Sequence, residues 1–326
     1  MTTGVPRLSR RLALAGAALL TAATLAACGA PDSASGPADA GFPMTISSCG
    51  REVSFERSPE RVVTVGSVAA PLLAAAGAAD RVKTRSFETA PFPGEYAEAL
   101  RGAEMIAPTA ELAREEIIAR TPDLVVSFEG AAISAEDLAA AGIPLLVTRG
   151  YCQQANGSYD DVFADIELYG KLLGTEDSAR ATVTALRQRV TAVADRHAAP
   201  GPKRPAAALI ISRDGTKVNA YGGTSTAHTQ LGILGLDNVF GEVAKRSFEA
   251  NTETLIARDP EVIILLTQGD QTPESARAAL RARLELAPIE AVAADRIIAV
   301  PFGYTGPGPV AVQGLEVLDR ELAALR

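Results

Sequence analysis

The chain has no tryptophan and only two histidines and three cysteines among its 326 residues. Each shortage removes a class of chemistry. Direct capture of zinc or manganese needs clustered imidazoles and carboxylates, and His197 and His228 are too few and too far apart. A Ser-His-Asp hydrolase would have to use one of the same two histidines. His197 ends a helical stretch beside alanine and proline, a poor place for a base. No Gly-x-Ser-x-Gly elbow, His-Glu-x-x-His pair or Walker loop occurs in the chain. The residue types therefore favour a binding protein over an enzyme. Positive charge is also in short supply, 31 Lys and Arg against 39 Asp and Glu, for a formal net charge of −8. Such a balance argues against a nucleic-acid partner and against a polybasic membrane patch.

What is present begins at the N-terminus. Arg7, Arg10 and Arg11 precede an uncharged apolar run over residues 12–27, rich in Ala and Leu. That run falls short of the roughly 20 residues a membrane-spanning helix needs, and it fits a signal peptide over residues 1–27. Leu25-Ala26-Ala27-Cys28-Gly29 looks like a lipoprotein lipobox: small residues suit a narrow peptidase cleft, and the Cys28 thiol takes the lipid. The alternative is an ordinary secretory signal with an incidental cysteine. Ser9-Arg10-Arg11-Leu12 also loosely matches a twin-arginine signal. Residues 28–43 are rich in Ala, Pro, Ser, Asp and Gly and read as a flexible tether. Losing three arginines with the leader moves the formal charge from −8 to −11, so the lipid, with several acyl chains, must do the anchoring.

With Cys28 lipidated, Cys49 and Cys152 remain as an even pair in an oxidising compartment. They are expected to form a disulfide, the alternatives being two free thiols or a poor metal site. Closing a loop of about 100 residues stabilises by up to roughly 4–5 kcal/mol in the chain-entropy model.

Hydrophobic periodicity predicts two α/β units. Short β-branched or apolar runs at residues 61–66, 123–128 and 144–148 read as strands of the first unit, with helical patterns at 68–76, 110–120 and 134–141. Runs at 207–212, 261–266 and 296–300 repeat the scheme in the second, with helical patterns at 226–234, 252–257, 274–282 and 310–325. Apolar runs alternating with helices imply mostly parallel sheets covered on both faces. Between the units, residues 158–197 hold no proline, and Val162, Ile166, Tyr169, Leu172 and Leu173, then Val183, Leu186, Val190 and Val193, keep a helical period. One long helix, bent near Gly174, is expected to join the units. The boundaries expected are 44–157 for the first lobe, 158–199 for the helix and 200–326 for the second lobe.

Several segments resemble one family. Pro59-Glu60-Arg61-Val62-Val63, the run from Leu72 to Val82, Thr121-Pro122-Asp123-Leu124-Val125-Val126, Gly142-Ile143-Pro144 and Arg258-Asp259-Pro260-Glu261-Val262 look like elements of the substrate-binding proteins of iron-siderophore, haem and cobalamin ABC importers. The resemblance spans residues 50–326 through order and spacing. It implies two Rossmann-like lobes bridged by one helix, no catalysis, a monomer, and delivery of a metal chelate to a permease dimer with its ATPase. It places docking on one glutamate per lobe, here Glu115 and Glu253, with Glu116 competing for the first role. Both stand in the first turn of a short helix, where the dipole favours a carboxylate.

Cargo residues are expected on loops after strand ends: Ser67, Arg85, Phe128, Arg149, Tyr151, Tyr221, Arg246, Phe248 and Tyr304. For any one of them, an ordinary packing or surface role is the competing account. Arginine matches anionic oxygen clusters bidentately, and tyrosine packs on a bulky chelate while donating a hydrogen bond. Arg85, Arg149, Arg213, Lys245 and Arg246 together favour an oxygen-rich ferric chelate, a ferric siderophore. Haem held by His228 is an alternative. A cobalamin site, which tends to be lined by aromatics, suits this tryptophan-free chain less well. A surface sensor or scaffold without transport is the remaining rival.

Overall fold

A computed structural model describes residues 41–325 apart from 89, 108–110, 154, 200 and 213. The leader, Cys28, most of the tether and Arg213 lie outside the described residues. The first described element is a hairpin of β1 (Met44–Ser48) and β2 (Arg51–Phe55), paired Met44 to Phe55 and Ser48 to Arg51. Met44, Ile46, Val53 and Phe55 are its buried positions, the period of two expected of a half-buried ribbon.

The N-lobe sheet is β3 (Val62–Val65), β4 (Val82–Ser86), β5 (Glu104–Met105), β6 (Leu124–Ser127) and β7 (Leu145–Val147), in the order β5-β4-β3-β6-β7, all parallel. Helices α1 (Ala69–Ala75), α2 (Gly94–Ala99), α3 (Arg114–Ala119) and α4 (Ala135–Ala139) supply its crossovers. Two longer helices follow, α5 (Tyr159–Leu173) and α6 (Glu176–Arg196).

The second sheet contains β8 (Arg204–Ile211), β9 (Val218–Tyr221), β10 (Leu236–Asn238), β11 (Ser247–Glu249), β12 (Val262–Thr267) and β13 (Ile297–Pro301), with α7 (Thr226–Ile233), α8 (Thr252–Arg258), α9 (Pro273–Arg281), α10 (Glu290–Ala293) and α11 (Val310–Ala324). Its order is β11-β9-β8-β12-β13, with β10 beside the start of β8. β8, β12, β13 and β10 run parallel, while β9 lies antiparallel to β8 and β11.

Continuous apolar strands are buried on both faces, and successive residues divide between cores. Val62, Leu124, Val126 and Leu146 face one core, while Val63, Val65, Val125 and Leu145 face a separate outer core. In the second sheet Ala206, Ala208, Ile264 and Val300 join that same first core, and Ala207, Leu209, Ile263 and Leu265 line a third. The shared core runs through α1, α5, α6 and α11 and ties the two lobes into one apolar body.

The expected single bent helix is corrected. Gly174 ends α5 in the left-handed conformation, φ 72°, as C-terminal glycines do, and the chain reverses. Arg187 lies over Phe163, 4.5 Å to the ring centroid, and pairs with Asp160 at 2.8 Å, so α5 and α6 run side by side in opposite directions. The Ser58 hydroxyl donates to Leu172 O at 3.0 Å, fixing the end of α5 to the N-lobe. The long interlobe helix is α6, 21 residues, about 31 Å at the usual rise. It starts where Thr175 Oγ1 donates to Ala76 O, 2.7 Å, and ends where His197 Nε2 meets Asp319 Oδ1 of the C-lobe, 2.6 Å. Among the described residues no helix is long and apolar enough to cross a membrane.

Candidate functional site

The N-lobe wall of the cleft is made where parallel strands end. After β4 comes Phe87, after β6 Phe128, and after β7 a single 3-10 turn, Arg149–Tyr151. Phe87 stacks on Phe128 with centroids 5.8 Å apart, and Phe128 meets Tyr151 at another 5.8 Å. Tyr151, the last ring of this row, faces the loop before β11, which carries Lys245 and Arg246. The guanidinium carbon of Arg246 stands 5.1 Å from the Tyr151 ring centroid. A cation over an aromatic face is attractive, and more so where water is thin.

Around this pair lies a cavity of about 530 Å³ lined from both lobes, including Glu129, Tyr151 and Gln153 on one side and Thr224, Lys245, Arg246 and Ser247 on the other. Below it Tyr221 is buried, 4% exposed. Burial raises the Tyr221 hydroxyl above the usual phenol range, against the pull of Arg246. Tyr151 is lifted in the same way, again opposed by Arg246. Both rings therefore stay neutral donors at any physiological pH.

The lobes also touch beside the cavity through the 301–309 loop that follows β13. A Cβ on Gly308 would come within 2.8 Å of Val68 Cγ1, and one on Gly150 within 2.2 Å of Pro307 Cβ. Only glycine permits that approach. A second, narrower gap between the lobes is lined by Ser67, Phe92, Gly303, Tyr304 and Val310.

The nine expected cargo residues separate into groups. Tyr151 and Arg246 line the cavity, while Phe128 stands behind Tyr151 against the outer N-lobe core and Tyr221 is buried beneath the pair. Ser67 and Tyr304 line the narrower gap. Arg85 stands near that gap, 5.6 Å from Phe92, but its Nη1 holds Glu88 at 2.8 and 3.0 Å. Burial pushes the Glu88 carboxyl up to about 7 although Arg85 draws it down. Arg149 and Phe248 turn away from the cavity. The Arg149 backbone N–H donates to Asp165 at 2.8 Å and its guanidinium lies 3.6 Å from the same carboxylate, in a groove behind the wall. Asp165 is 2% exposed, and burial pushes it up to about 7 against Arg149. Phe248 packs edge-on against Phe240 in the outer core of the second sheet, 5.5 Å between centroids. His228 lies behind the 222–224 turn, its Nδ1 3.4 Å from the Asn238 amide nitrogen and its ring under Gly241, and does not line the cavity.

Phe87, Glu88, Phe92, Glu129, Gln153, Thr224 and Ser247 were missed in the sequence. The signal for Phe87 and Glu129 was available, since each closely follows the end of a strand. Ser247 was one residue from the expected Phe248, and pairing of β11 with β9 puts it opposite Tyr221.

The two candidate docking glutamates are exposed at the N-termini of α3 and α8. Each helix precedes a strand it runs against, so each glutamate stands on the side where β6 or β12 ends. Glu116 folds back to accept the Ala113 N–H at 3.2 Å, while Glu115 has only Arg114 at 3.8 Å and a side chain 79% exposed. Asn251 caps α8 by accepting from Glu253 N and Thr254 N, which leaves the Glu253 carboxylate free of the capping role. Cys49 and Cys152 are joined as a disulfide, Cα–Cα 5.2 Å.

Two α/β lobes on a shared core, with a polar and aromatic cavity between them, define a bilobal binding protein. Residues 62–304 match the periplasmic binding protein family, and the chain belongs to it. A solved structure described as an ABC-type Fe3+-hydroxamate transport system, from Saccharomonospora viridis DSM 43017, aligns with a TM-score of 0.78 at 33% identity. It covers 86% of this chain and 99% of its own. The periplasmic heme-binding protein of Vibrio cholerae shares the fold, with TM-score 0.65 and 18% identity over 80% of this chain and 98% of that one. The vitamin B12-binding protein of Yersinia pestis (strain Pestoides F) is 25% identical over 215 residues, 64% of this chain and 70% of that protein. The family is one of extracytoplasmic binding proteins, not enzymes.

Proposed function

We propose that this protein captures a ferric siderophore of low net charge, of the hydroxamate type, in the cleft between Tyr151 and Arg246. It then presents the chelate to the permease of an ABC importer. The observation that carries the reading is the Arg246 guanidinium facing Tyr151 and its aromatic row across the lobes. Flat rings pack against the organic shell of a chelate, and a guanidinium donates to its oxygens.

Charge narrows the cargo. Of the five basic side chains expected at the cleft, Arg85 is held by Glu88 and Arg149 by Asp165, and Arg213 lies outside the described residues. Lys245 and Arg246 remain, offset by Glu129 on the opposite wall. A slightly positive cavity suits a neutral ferric tris-hydroxamate better than a trianionic ferric tris-catecholate, whose entry would desolvate unbalanced charge. The relative from Saccharomonospora viridis supports the same chelate class. Delivery would use Glu115 and Glu253 as the two docking carboxylates, and a lipid on Cys28 would keep the loaded protein beside the membrane.

Quenching of tyrosine fluorescence in the compact unit Pro37–Arg326 tests the cargo, with ferrichrome, ferric enterobactin, haemin and cyanocobalamin as ligands. Ferrichrome is expected to quench at submicromolar concentration, and ferric enterobactin to need at least about tenfold more. Submicromolar binding of haemin or cyanocobalamin alone would sink the reading.

A further inference from the structure

We propose that the Cys49–Cys152 disulfide is a positioning element of the cargo site, which holds Tyr151 in place so that the aromatic wall is complete only in the oxidised protein. This rests on the cavity between Tyr151 and Arg246 being the cargo site.

Tyr151 ends a single 3-10 turn, an element too short to hold its own shape. Upstream, Tyr151 N–H donates to Thr148 O, just past β7, at 2.9 Å, Cys152 N–H closes the turn onto Arg149 O at 2.9 Å, and Arg149 N–H donates to Asp165 of α5 at 2.8 Å. Downstream, the described residues from Ala155 to Ser158 form neither helix nor strand. On that side Ala155 N–H donates to Cys152 O at 2.9 Å and Thr229 Oγ1 donates to Gly157 O at 3.0 Å, and the covalent attachment, next to Tyr151 itself, is the bond from Cys152 to Cys49. Cys49 and Gly50 have φ 47° and 80°, a two-residue turn in the left-handed region that matches the twist of a hairpin.

That hairpin is itself moored to the free edge of the N-lobe sheet. Val147 N–H donates to Ser48 Oγ at 2.8 Å, and Arg51 reaches Leu145 O at 3.5 Å. A short closed circuit results, running from β7 through the Tyr151 turn, the disulfide and Ser48 back to β7. Gly150, Tyr151 and Cys152 all line the cavity, so slack in this circuit is slack in the binding wall.

Loss of a disulfide that only restrained the unfolded chain would lower the melting temperature and leave affinity alone. A positioning bond acts through Tyr151, and its loss cannot add to the loss of that ring. The test compares wild type, C49S/C152S, Y151A and the triple variant by ferrichrome titration below the melting transition. Folded wild type reduced with dithiothreitol replaces C49S/C152S should that variant not fold. About a tenfold loss is expected for C49S/C152S, with the triple variant no weaker than Y151A. Wild-type affinity in C49S/C152S, or losses that multiply, would overturn the proposal.

A second readout needs no cargo: the near-UV circular dichroism that Y151A removes from the wild-type spectrum. It should vanish in C49S/C152S, and its persistence there overturns the positioning role. Failure of wild type to bind ferrichrome overturns the cargo assignment alone, because this band still decides the role of the disulfide.

Discussion

Arg246 and Tyr151 belong to different lobes, yet the guanidinium carbon of one stands 5.1 Å from the ring centroid of the other. The pair spans the mouth of the cavity, with Phe128 and Phe87 continuing the ring surface behind it. Removing the cation removes its stacking on Tyr151 and, in the proposed complex, its donors to the cargo, each worth on the order of 1 kcal/mol or more. Arg246→Ala is therefore expected to weaken ferrichrome binding by roughly 5- to 30-fold. Arg246→Lys should recover part of the loss, since lysine keeps charge but not the planar fork. Fluorescence titration of the three proteins decides, and unchanged affinity in Arg246→Ala would remove the pair from the site.

Docking separates from binding. Glu115→Ala and Glu253→Ala together should abolish uptake of a radiolabelled ferric chelate in cells while leaving its affinity for the isolated protein unchanged. Glu116→Ala should leave transport unharmed. Its carboxylate accepts the Ala113 N–H, so its loss should cost about 0.5–1 kcal/mol of stability with uptake intact. Uptake that survives the double substitution contradicts the docking assignment.

Close contact between the lobes makes a steric prediction. In Gly150→Ala the new Cβ meets Pro307 Cβ at 2.2 Å, so the 301–309 loop has to move. A loss of about 1–3 kcal/mol is expected, read as a lower urea midpoint with the slope unchanged. Wild-type stability would mean the loop is loosely held.

Asp165 gives a pH dependence of definite sign. Its carboxyl is raised from 3.8 to about 7 in the folded chain by burial. Between those values the folded state holds more protons than the unfolded one, so this residue's contribution to stability falls as pH rises through the window. Glu88, raised from 4.5 to about 7, acts in the same direction. Melting temperatures across the window should therefore fall less with rising pH in Asp165→Asn than in wild type. Equal slopes would show that Asp165 is not buried as described.

Much of the fold was legible because its strands are continuous apolar runs. Val62-Val63 and Leu124-Val125-Val126 divide between two cores, and only a sheet covered on both faces needs that. The reversal at Gly174 was not legible, because the apolar period of Val162 to Leu173 and of Val183 to Val193 is satisfied equally by one helix or by two packed together. At the candidate cavity, position along the chain picked out Tyr151 and Arg246, which line it. It could not show that Arg149 would be claimed by Asp165, a carboxylate 16 residues further on that only folding brings close. The misplacement of Phe248 is a matter of period two. One step along β11 exchanges the cavity face, where Ser247 opposes Tyr221, for the outer core.

The most direct test is a crystal structure of the protein grown with ferrichrome. The account predicts the chelate seated between the lobes, its organic shell against Tyr151 and Phe128 and its oxygens within hydrogen-bond reach of Arg246. A chelate bound elsewhere, or a cleft whose Tyr151 and Arg246 make no contact with it, would contradict the account.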